Sequence, residues 1–364
     1  MVELRGMDAP AARLTSLDAL RGIDMLIILG IDALVYALYP VYSGNSFWQL
    51  AREQLGHAPW DGLRLYDCVF PLFVFISGMA MCFSHLRQMD RSPLMILLKL
   101  WKRALILVFL GFFVNGIISW DMQQMRFASV LGLIGLSGAL AGSLTLLFRG
   151  RAVPCVILAG LILIGVGVAQ HTGGDFTPGG CVNSKIDAIL CPGVLYSGSY
   201  DPEGPLCVIS ATALSLLGYS AGRLFLDIES AVSRALTILA AGGALFAAGY
   251  FMPTPIIKGI WTPSFVLCSA GIGAACTAVL HLIIDVAGLQ KWALPFRVIG
   301  LNSLAAYLVV HIVNFQALSA RLFSGTWALF LNAEWQRVAN AAVALLLIWG
   351  LCWFLYNKRV FIKI

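Results

Sequence analysis

The sequence predicts an all-α, polytopic membrane protein of about ten transmembrane helices, on three observations. Apolar residues make up 60% of its 364 residues and charged residues only 12%, whereas a soluble domain carries roughly 45–50% and about 25%. The apolar residues fall into long runs, and a membrane span needs about 20 of them. The net charge is only +6, an excess that the cytoplasmic side of a membrane protein accounts for. This composition excludes a soluble enzyme, a disordered chain and a nucleic-acid-binding protein.

The apolar runs place the helices in order along one domain, residues 1–364. The ten predicted spans cover 17–39, 63–85, 95–119, 127–148, 152–170, 205–226, 231–251, 262–285, 296–316 and 338–357. Two predicted outer loops are long, at about 40–62 and 171–204, and loops of that length are more often functional than idle. The second contains Cys181 and Cys191, so a disulfide between them is an open expectation on an oxidising side of the membrane.

Lys and Arg are divided unevenly between the two sides of the predicted bundle. Of the 24 such residues, about two-thirds fall in the N-terminus, the even-numbered loops and the C-terminus. Both termini are therefore predicted to be cytoplasmic. The polar N-terminus shows no cleavable signal peptide.

Four ionisable residues lie in the first span, where lipid makes them costly. At 100° per residue, Asp18, Arg21, Asp24 and Asp32 share one face of a straight helix. Arg21 can be tied structurally to its two nearer acids. Asp32 lies about 16 Å further along, has no cation within one turn, and is the candidate for a functional role.

The stretch HAPWDGLRLYD, which enters the second span, holds the most informative polar residues. His57 stands just outside the span and Asp67 about one turn inside it, with Trp60 and Asp61 between them. An imidazole that titrates near neutrality suits a general base. We therefore expect His57, Asp32 and Asp67 to be catalytic, and Trp60 and Asp61 to contact a substrate.

Other polar residues at the ends of spans are weaker candidates for substrate contacts. They are Asp201, Glu203, Lys258, Trp261, Asn302 and His311. A turn with solvated acids and an interfacial Lys/Trp anchor remain the alternatives for the first four. Asn302 and His311 lie on opposite faces of a straight helix, so both face one site only if that helix is broken. Asn302 or backbone amides are candidates for stabilising an oxyanion.

Several motifs, taken together, resemble those of one family. The segments are LDALRGIDM (17–25), HAPWDG followed by D-x-x-F-P (57–71), YDPEG (200–204), IWTPSF (260–265) and GLNSLAAY (300–307). In order and spacing they resemble the heparan-alpha-glucosaminide N-acetyltransferase family of transmembrane acyltransferases. The chain looks like a compact bacterial version.

The resemblance implies an enzyme of the bacterial inner membrane. Such an enzyme takes acetyl-CoA from the cytoplasm and acetylates the amino group of glucosamine, or of a glucosamine-terminated glycan, on the outer side. By the motif match His57 is the essential histidine, and Asp32 falls where the lysosomal enzyme has a functional asparagine. The segment RFASVLGLIG departs from the family's R-I-x-G-V-L-Q-R-I-G: Arg126 is kept, but Gly132 and Leu133 replace the Gln-Arg pair.

Acetyl-CoA is thus the expected co-substrate, with Arg21, Arg103 and Arg126 as its candidate basic contacts. No His/Cys cluster has metal-ligand spacing, so no metal is expected. The expected partners are an amino-sugar acceptor and membrane lipid, and small-residue helix faces leave a homodimer open. An amino-sugar transporter and O-acetylation of an envelope polysaccharide stay open as alternatives, as does an acetyl-His57 intermediate against direct transfer.

Overall fold

The computed structural model of the protein describes residues 14–86, 88, 92–117 and 125–362. These residues are helical apart from their connections, and the only backbone bridges among them are two isolated ones, Asp61 with Ile257 and Arg126 with Gly193. The predicted all-α, polytopic class is confirmed. Five basic residues that contributed to the predicted orientation lie outside the described ranges: Arg5, Arg13, Arg87, Arg91 and Lys363.

The described residues form fifteen α-helices. In chain order they are α1 Thr15–Leu26, α2 Asp32–Val41, α3 Ser46–Gln54, α4 Leu65–Leu86, α5 Pro93–Phe112, α6 Val130–Leu147, α7 Ala152–Gly173, α8 Val182–Leu190, α9 Pro205–Asp227, α10 Ala231–Tyr250, α11 Pro263–Leu280, α12 Leu294–Leu301, α13 Ser303–Ile312, α14 Phe315–Phe330 and α15 Ala333–Asn357. Single π-helical turns follow α1, α5 and α11, at Ile27–Ile31, Phe113–Ile117 and His281–Val286.

Eight helical segments of the described chain are long and apolar enough to cross a membrane, and nine if the bent pair α12–α13 is one span. All nine coincide with predicted spans. The remaining predicted span falls on α5, a helix of 20 residues that carries Lys99, Lys102 and Arg103. Because of these three charges, α5 is not among the helices that are apolar enough to cross a membrane by composition.

Three helices lie where loops were expected. Helices α3 and α8 are within the two long loops, and α14 lies between the last two predicted spans. Side-chain caps explain where each begins, because Asn45, Cys181 and Asn314 accept hydrogen bonds from Phe47 N, Ser184 N and Ala317 N. At 16 residues α14 is too short for a typical span.

The disulfide between Cys181 and Cys191, which the sequence left open, is not formed. Cys181 caps the start of α8 and Cys191 caps its end, and both thiols are free. The nine residues of α8 separate them by about 15 Å, whereas bridged Cα atoms lie within about 7 Å.

Helix α9 forms the centre of the bundle, because most of its residues are buried and it packs against α4, α6, α7 and α11. Close approach of α4 to α9 depends on two glycines. A β-carbon on Gly78 would overlap the carbonyl oxygen of Ser215, and one on Gly218 would overlap that of Phe75. Small residues of this kind allow helix backbones to touch in a membrane.

Helix α1 packs against α12 in the same manner. A β-carbon on Gly22 would overlap the carbonyl oxygen of Phe296, and one on Gly300 would overlap that of Asp18. These glycines belong to the motifs LDALRGIDM and GLNSLAAY, so part of what those motifs specify is this helix contact.

Candidate active site

A cavity of about 1490 Å³ runs through the bundle between α1, α4, α5, α6 and α13. Helix α4 lines it with a stripe of residues spaced three or four apart: Asp67, Phe70, Phe73, Ser77, Ala80 and Ser84. From Asp67 to His85, another lining residue, the helix rises about 27 Å, and the hydrocarbon core of a bilayer is about 30 Å thick. The cavity therefore extends along most of the membrane thickness. We call its two ends the His57 end and the basic end.

At the His57 end, an imidazole is held by a buried carboxylate. His57 Nδ1 lies 2.8 Å from Asp67 Oδ1, and Asp67 is only 1% exposed. The other oxygen, Oδ2, accepts hydrogen bonds from Ala58 N at 3.1 Å and Arg64 N at 3.2 Å. An ionised carboxylate can only accept hydrogen bonds, so the shared hydrogen belongs to Nδ1. His57 Nε2 then carries the lone pair, as a general base requires.

Lys258 reaches the same imidazole from a distant part of the chain. Its Nζ lies 3.1 Å from His57 Nδ1, 3.4 Å from Nε2 and 3.7 Å from Asp67 Oδ1. Burial lowers the pKa of Lys258, and the Asp67 carboxylate opposes that shift.

Pairing between two loops holds Lys258 next to His57. Asp61 forms a bridge with Ile257, its Oδ1 accepts from Ile256 N at 2.9 Å, and Gly62 N donates to Ile256 O at 2.9 Å. Asp61 is exposed and does not line the cavity. The Asp61 carboxylate, which was expected to contact a substrate, binds the backbone of the loop that carries Lys258.

Asp32 connects to the site through Tyr66. The Tyr66 hydroxyl donates to Asp32 Oδ2 at 3.4 Å, and the Tyr66 ring packs edge-on against His57 with centroids 4.8 Å apart. Asp32 itself does not line the cavity. The straight-helix reasoning that put it on the face of Arg21 is wrong, because Gly30, at φ 145°, breaks the helix between them.

Aromatic side chains form a wall beside His57. Trp60, Tyr196 and Tyr200 line the cavity, and the Trp60 and Tyr200 rings meet edge-on at 5.1 Å. Trp60 Nε1 donates to Phe176 O at 2.6 Å, which fixes the indole. The wall thus offers flat apolar surfaces whose orientation is set.

Arg126 belongs to this end of the cavity. Its Nε donates to Asp201 Oδ2 at 2.6 Å, its Nη2 also binds Asp201 and Glu203, and its guanidinium stacks on Tyr196 at 4.8 Å. Asp201 is fully buried, and besides Arg126 it accepts from Tyr196 N and Glu203 N. Arg126 and Glu203 line the cavity, whereas Asp201 does not line it and acts through the cavity residues that it binds.

Trp261 and Asn302, expected to contact a substrate, do not line the cavity. Trp261 is fully buried and packs against Phe70 and Phe265, with ring centroids 5.6 and 5.7 Å away. Asn302 is also fully buried. Both side chains are therefore packed within the described part of the protein and do not face the cavity.

Asn302 holds the end of the described chain. Its Nδ2 donates to Val360 O at 3.1 Å, and its Oδ1 accepts from Ile362 N at 3.2 Å. Ile362 lines the cavity. Asn302 also marks the 73° bend between α12 and α13. The bend lets His311 line the cavity while Asn302 faces the chain end.

The basic end carries four cationic side chains that line the cavity: Arg21, Lys99, Lys102 and Arg103. Arg21 Nη1 lies 3.6 Å from Asp18 Oδ1. His85 lines the cavity here as well, with Nδ1 3.4 Å from Thr145 Oγ1. This end is chemically suited to an anionic group such as a phosphate.

Comparison with known proteins identifies relatives over almost the whole chain. The chain is 26% identical to heparan-alpha-glucosaminide N-acetyltransferase of Homo sapiens and 26% identical to the protein of that name from Mus musculus. Each alignment covers 98% of the present chain. The chain is a distant relative of these N-acetyltransferases. The resemblance inferred from its motifs is thereby confirmed. The chain spans 61% and 62% of the length of the two relatives, and its residues 13–172 match the family described as "Domain of unknown function (DUF5009)".

In this relative of the N-acetyltransferases, the structure brings His57, Asp67, Lys258, Trp60, Glu203, Arg126 and His311 to one cavity, with Arg21 and Arg103 at its other end. Sequence reasoning missed Tyr66, Tyr196 and Tyr200. Tyr66 and Tyr200 stand beside predicted residues in their motifs, and that proximity was the available signal. Among the described residues, no group of three or more His, Cys, Asp or Glu side chains is placed to hold a metal ion.

Proposed function

We propose that the protein is an integral-membrane acetyltransferase that moves an acetyl group from acetyl-CoA to the amino group of glucosamine or of a glucosamine-terminated glycan. One observation carries the proposal. His57, with its Nδ1 hydrogen held by buried Asp67, stands at one end of a cavity whose other end holds four basic side chains. The distant relationship to N-acetyltransferases supports the choice of reaction.

In this proposal His57 is the general base. Amide formation from a thioester needs a neutral amine, and an amino sugar is partly protonated near neutral pH. Nε2 takes the proton from the attacking amine, while Asp67 fixes the tautomer and stabilises the imidazolium. Asp32 supports the same imidazole through the Tyr66 hydroxyl and ring.

The acceptor binds at the His57 end. The rings of Trp60 and Tyr200 supply flat surfaces for the apolar face of a sugar, and Glu203 and His311 supply polar contacts. Arg126 keeps Glu203 in place, so we assign Arg126 to the acceptor and not, as first expected, to the donor.

The donor enters at the basic end, which we place on the cytoplasmic side of a bacterial inner membrane. Arg21 and Arg103, together with Lys99 and Lys102, meet the phosphates of acetyl-CoA. The flexible pantetheine arm then carries the thioester along the cavity to His57. This orientation agrees with the excess of Lys and Arg predicted for that side.

The decisive experiment is an acetyl-transfer assay on detergent-purified protein. Labelled acetyl-CoA is incubated with glucosamine and wild-type protein, with His57→Ala, and with His171→Ala as a matched control outside the cavity. We expect labelled N-acetylglucosamine, stable to mild alkali, from wild type and His171→Ala but not from His57→Ala. An alkali-labile product would instead indicate O-acetylation.

A second candidate function is transport of an amino sugar, which the length of the cavity favours. A transporter needs no acyl donor. Failure to bind acetyl-CoA, together with absence of product, would overturn the transferase proposal and favour transport.

A further inference from the structure

Two groups, Asp67 and Lys258, lie within hydrogen-bond distance of the same nitrogen of His57, and only one of them can be its partner. Nδ1 has one position for a hydrogen bond, yet Asp67 Oδ1 and Lys258 Nζ both lie near it, at 2.8 and 3.1 Å. Asp67 can only accept and an ammonium can only donate. Since Nδ1 donates to Asp67, Lys258 is not its hydrogen-bond partner. The ammonium is instead a cation beside the ring, 3.4 Å from Nε2.

The backbone around Lys258 is rigid. On one side, Ile257 is buried and bridged to Asp61. On the other side, a β-carbon on Gly259 would crowd the rings of Trp60 and Tyr200, at 2.9 Å from each. Lys258 is therefore held beside Nε2 by its neighbours, and its side chain remains 22% exposed toward the cavity.

Two other side-chain donors that line this end are already committed. Trp60 Nε1 binds Phe176 O, and the Arg126 guanidinium binds Asp201 and Glu203. Lys258 has three N–H groups and lines the cavity next to the base.

We propose that Lys258 is a catalytic residue whose ammonium group binds the oxyanion formed when the acceptor amine attacks the thioester carbonyl. This inference rests on the proposed acetyltransferase function and adds an assignment to it. Lys258 was first expected to contact a substrate, and the geometry points to the reacting carbonyl.

The charges of the step balance with this assignment. Before attack, the Lys258 ammonium offsets the Asp67 carboxylate and His57 is neutral. The amine nitrogen then bonds to the carbonyl carbon, the C=O electron pair moves to oxygen, and the amine proton passes to Nε2. The imidazolium and the oxyanion form together, and the Lys258 ammonium lies close enough to pair with the latter. Collapse re-forms C=O, breaks the C–S bond and returns the proton from Nε2 to the thiolate.

The test compares Lys258→Met, Lys258→Arg and wild type in the acetyl-transfer assay, with Lys185→Met as a control on α8. Loss of an oxyanion donor costs about 10²–10³ in kcat. We expect a kcat loss of that size in Lys258→Met, with KM for both substrates within about threefold of wild type. Arginine stays protonated at all working pH values, so Lys258→Arg is expected to recover at least about tenfold over Lys258→Met.

Acetyl-CoA binding and thermal stability of each variant are measured beside the rates, to show that the variants fold. Folded Lys258→Met with wild-type kcat would overturn this inference and leave the proposed function intact. Equal inactivity of the Arg and Met variants would also overturn it, because it would mean that Lys258 must lose its proton. A wild type that neither forms product nor binds acetyl-CoA would overturn both proposals.

Discussion

One hydrogen atom determines which nitrogen of His57 can act as a base. Asp67 accepts from Nδ1 through one oxygen and from two backbone amides through the other. Both oxygens of that carboxylate are therefore engaged. Because an ionised carboxylate can only accept hydrogen bonds, Asp67 fixes the tautomer of His57.

Replacing Asp67 by asparagine is expected to reverse that tautomer. If the amide oxygen keeps the two backbone N–H groups, the NH₂ group faces Nδ1 and forces the hydrogen onto Nε2. We expect kcat in the acetyl-transfer assay to fall at least a hundredfold, with acetyl-CoA binding unchanged. Asp175→Asn, in an exposed loop, is the matched control. An Asp67→Asn enzyme as fast as wild type would exclude this role for Asp67.

A second buried acid supports the long loop of the site. Asp187 on α8 is fully buried, its Oδ2 accepts from Asp201 N at 2.9 Å, and its Oδ1 has no hydrogen-bond partner among the described residues. Burial raises the pKa of Asp187 from 3.8 to about 6. A raised pKa means that the folded protein favours the protonated acid. The resulting stabilisation is present at low pH and is lost as the pH rises through about 6.

Asp187→Asn should consequently stabilise the protein above pH 6. The amide keeps an acceptor for Asp201 N and removes the buried charge, a difference of about 1–3 kcal/mol. We expect a higher thermal midpoint in detergent for the variant at pH 7.5, and a difference that shrinks toward pH 4. A difference that does not change with pH would contradict the assignment of the charge.

At the scale of helices, close backbone contact makes particular glycines necessary. Gly78 of α4 faces the backbone of Ser215 on α9, and no rotamer change can relieve an overlap with backbone atoms. Gly78→Ala is expected to lower stability by about 1–3 kcal/mol. Gly138→Ala on α6 is the control, because a β-carbon there meets nothing within 4 Å. Thermal midpoints compare the two, and equal midpoints would contradict the contact.

Asn302 joins a helix break to the end of the described chain. Without its amide, Val360 O and Ile362 N lose their side-chain partners. We expect faster hydrogen exchange at residues 358–362 in Asn302→Ala. Asn340→Ala, which removes an amide that binds Ser319 and Trp327 between α14 and α15, should leave that exchange unchanged. Unaltered exchange in Asn302→Ala would mean that other contacts hold the segment.

The positions of the helices along the chain were more predictable from the sequence than the contacts between residues that are distant in it. Spans follow from local apolar content, because about 20 apolar residues suffice to cross lipid. His57 and Asp67 were predictable as a pair since they flank one helix start. Lys258 lies 201 residues from His57, and no local pattern encodes that meeting. Helical periodicity gave the wrong face for Asp32, because it assumes a continuous helix and Gly30 interrupts this one.

At the scale of the whole molecule, the cavity separates two tasks along α4. Basic side chains line one end and the His57 group the other, about 27 Å apart along the helix. A donor bound through its phosphates must therefore extend past the middle of α4 to react. Ser77 lies there, about 15 Å from Asp67 along the helix.

Ser77→Trp is expected to obstruct that passage without touching either end. Transfer from acetyl-CoA should fall at least a hundredfold, since a small misplacement of reacting groups already costs about that much. A short thioester, N-acetylcysteamine thioacetate, reaches His57 without crossing the middle, so its use as donor should be nearly unchanged. Ile164→Trp, on the exposed face of α7, controls for the added indole. Equal loss with both donors would mean that the substitution distorts the His57 end. No loss with acetyl-CoA would mean that the donor does not pass Ser77, and the cavity would then not be its route.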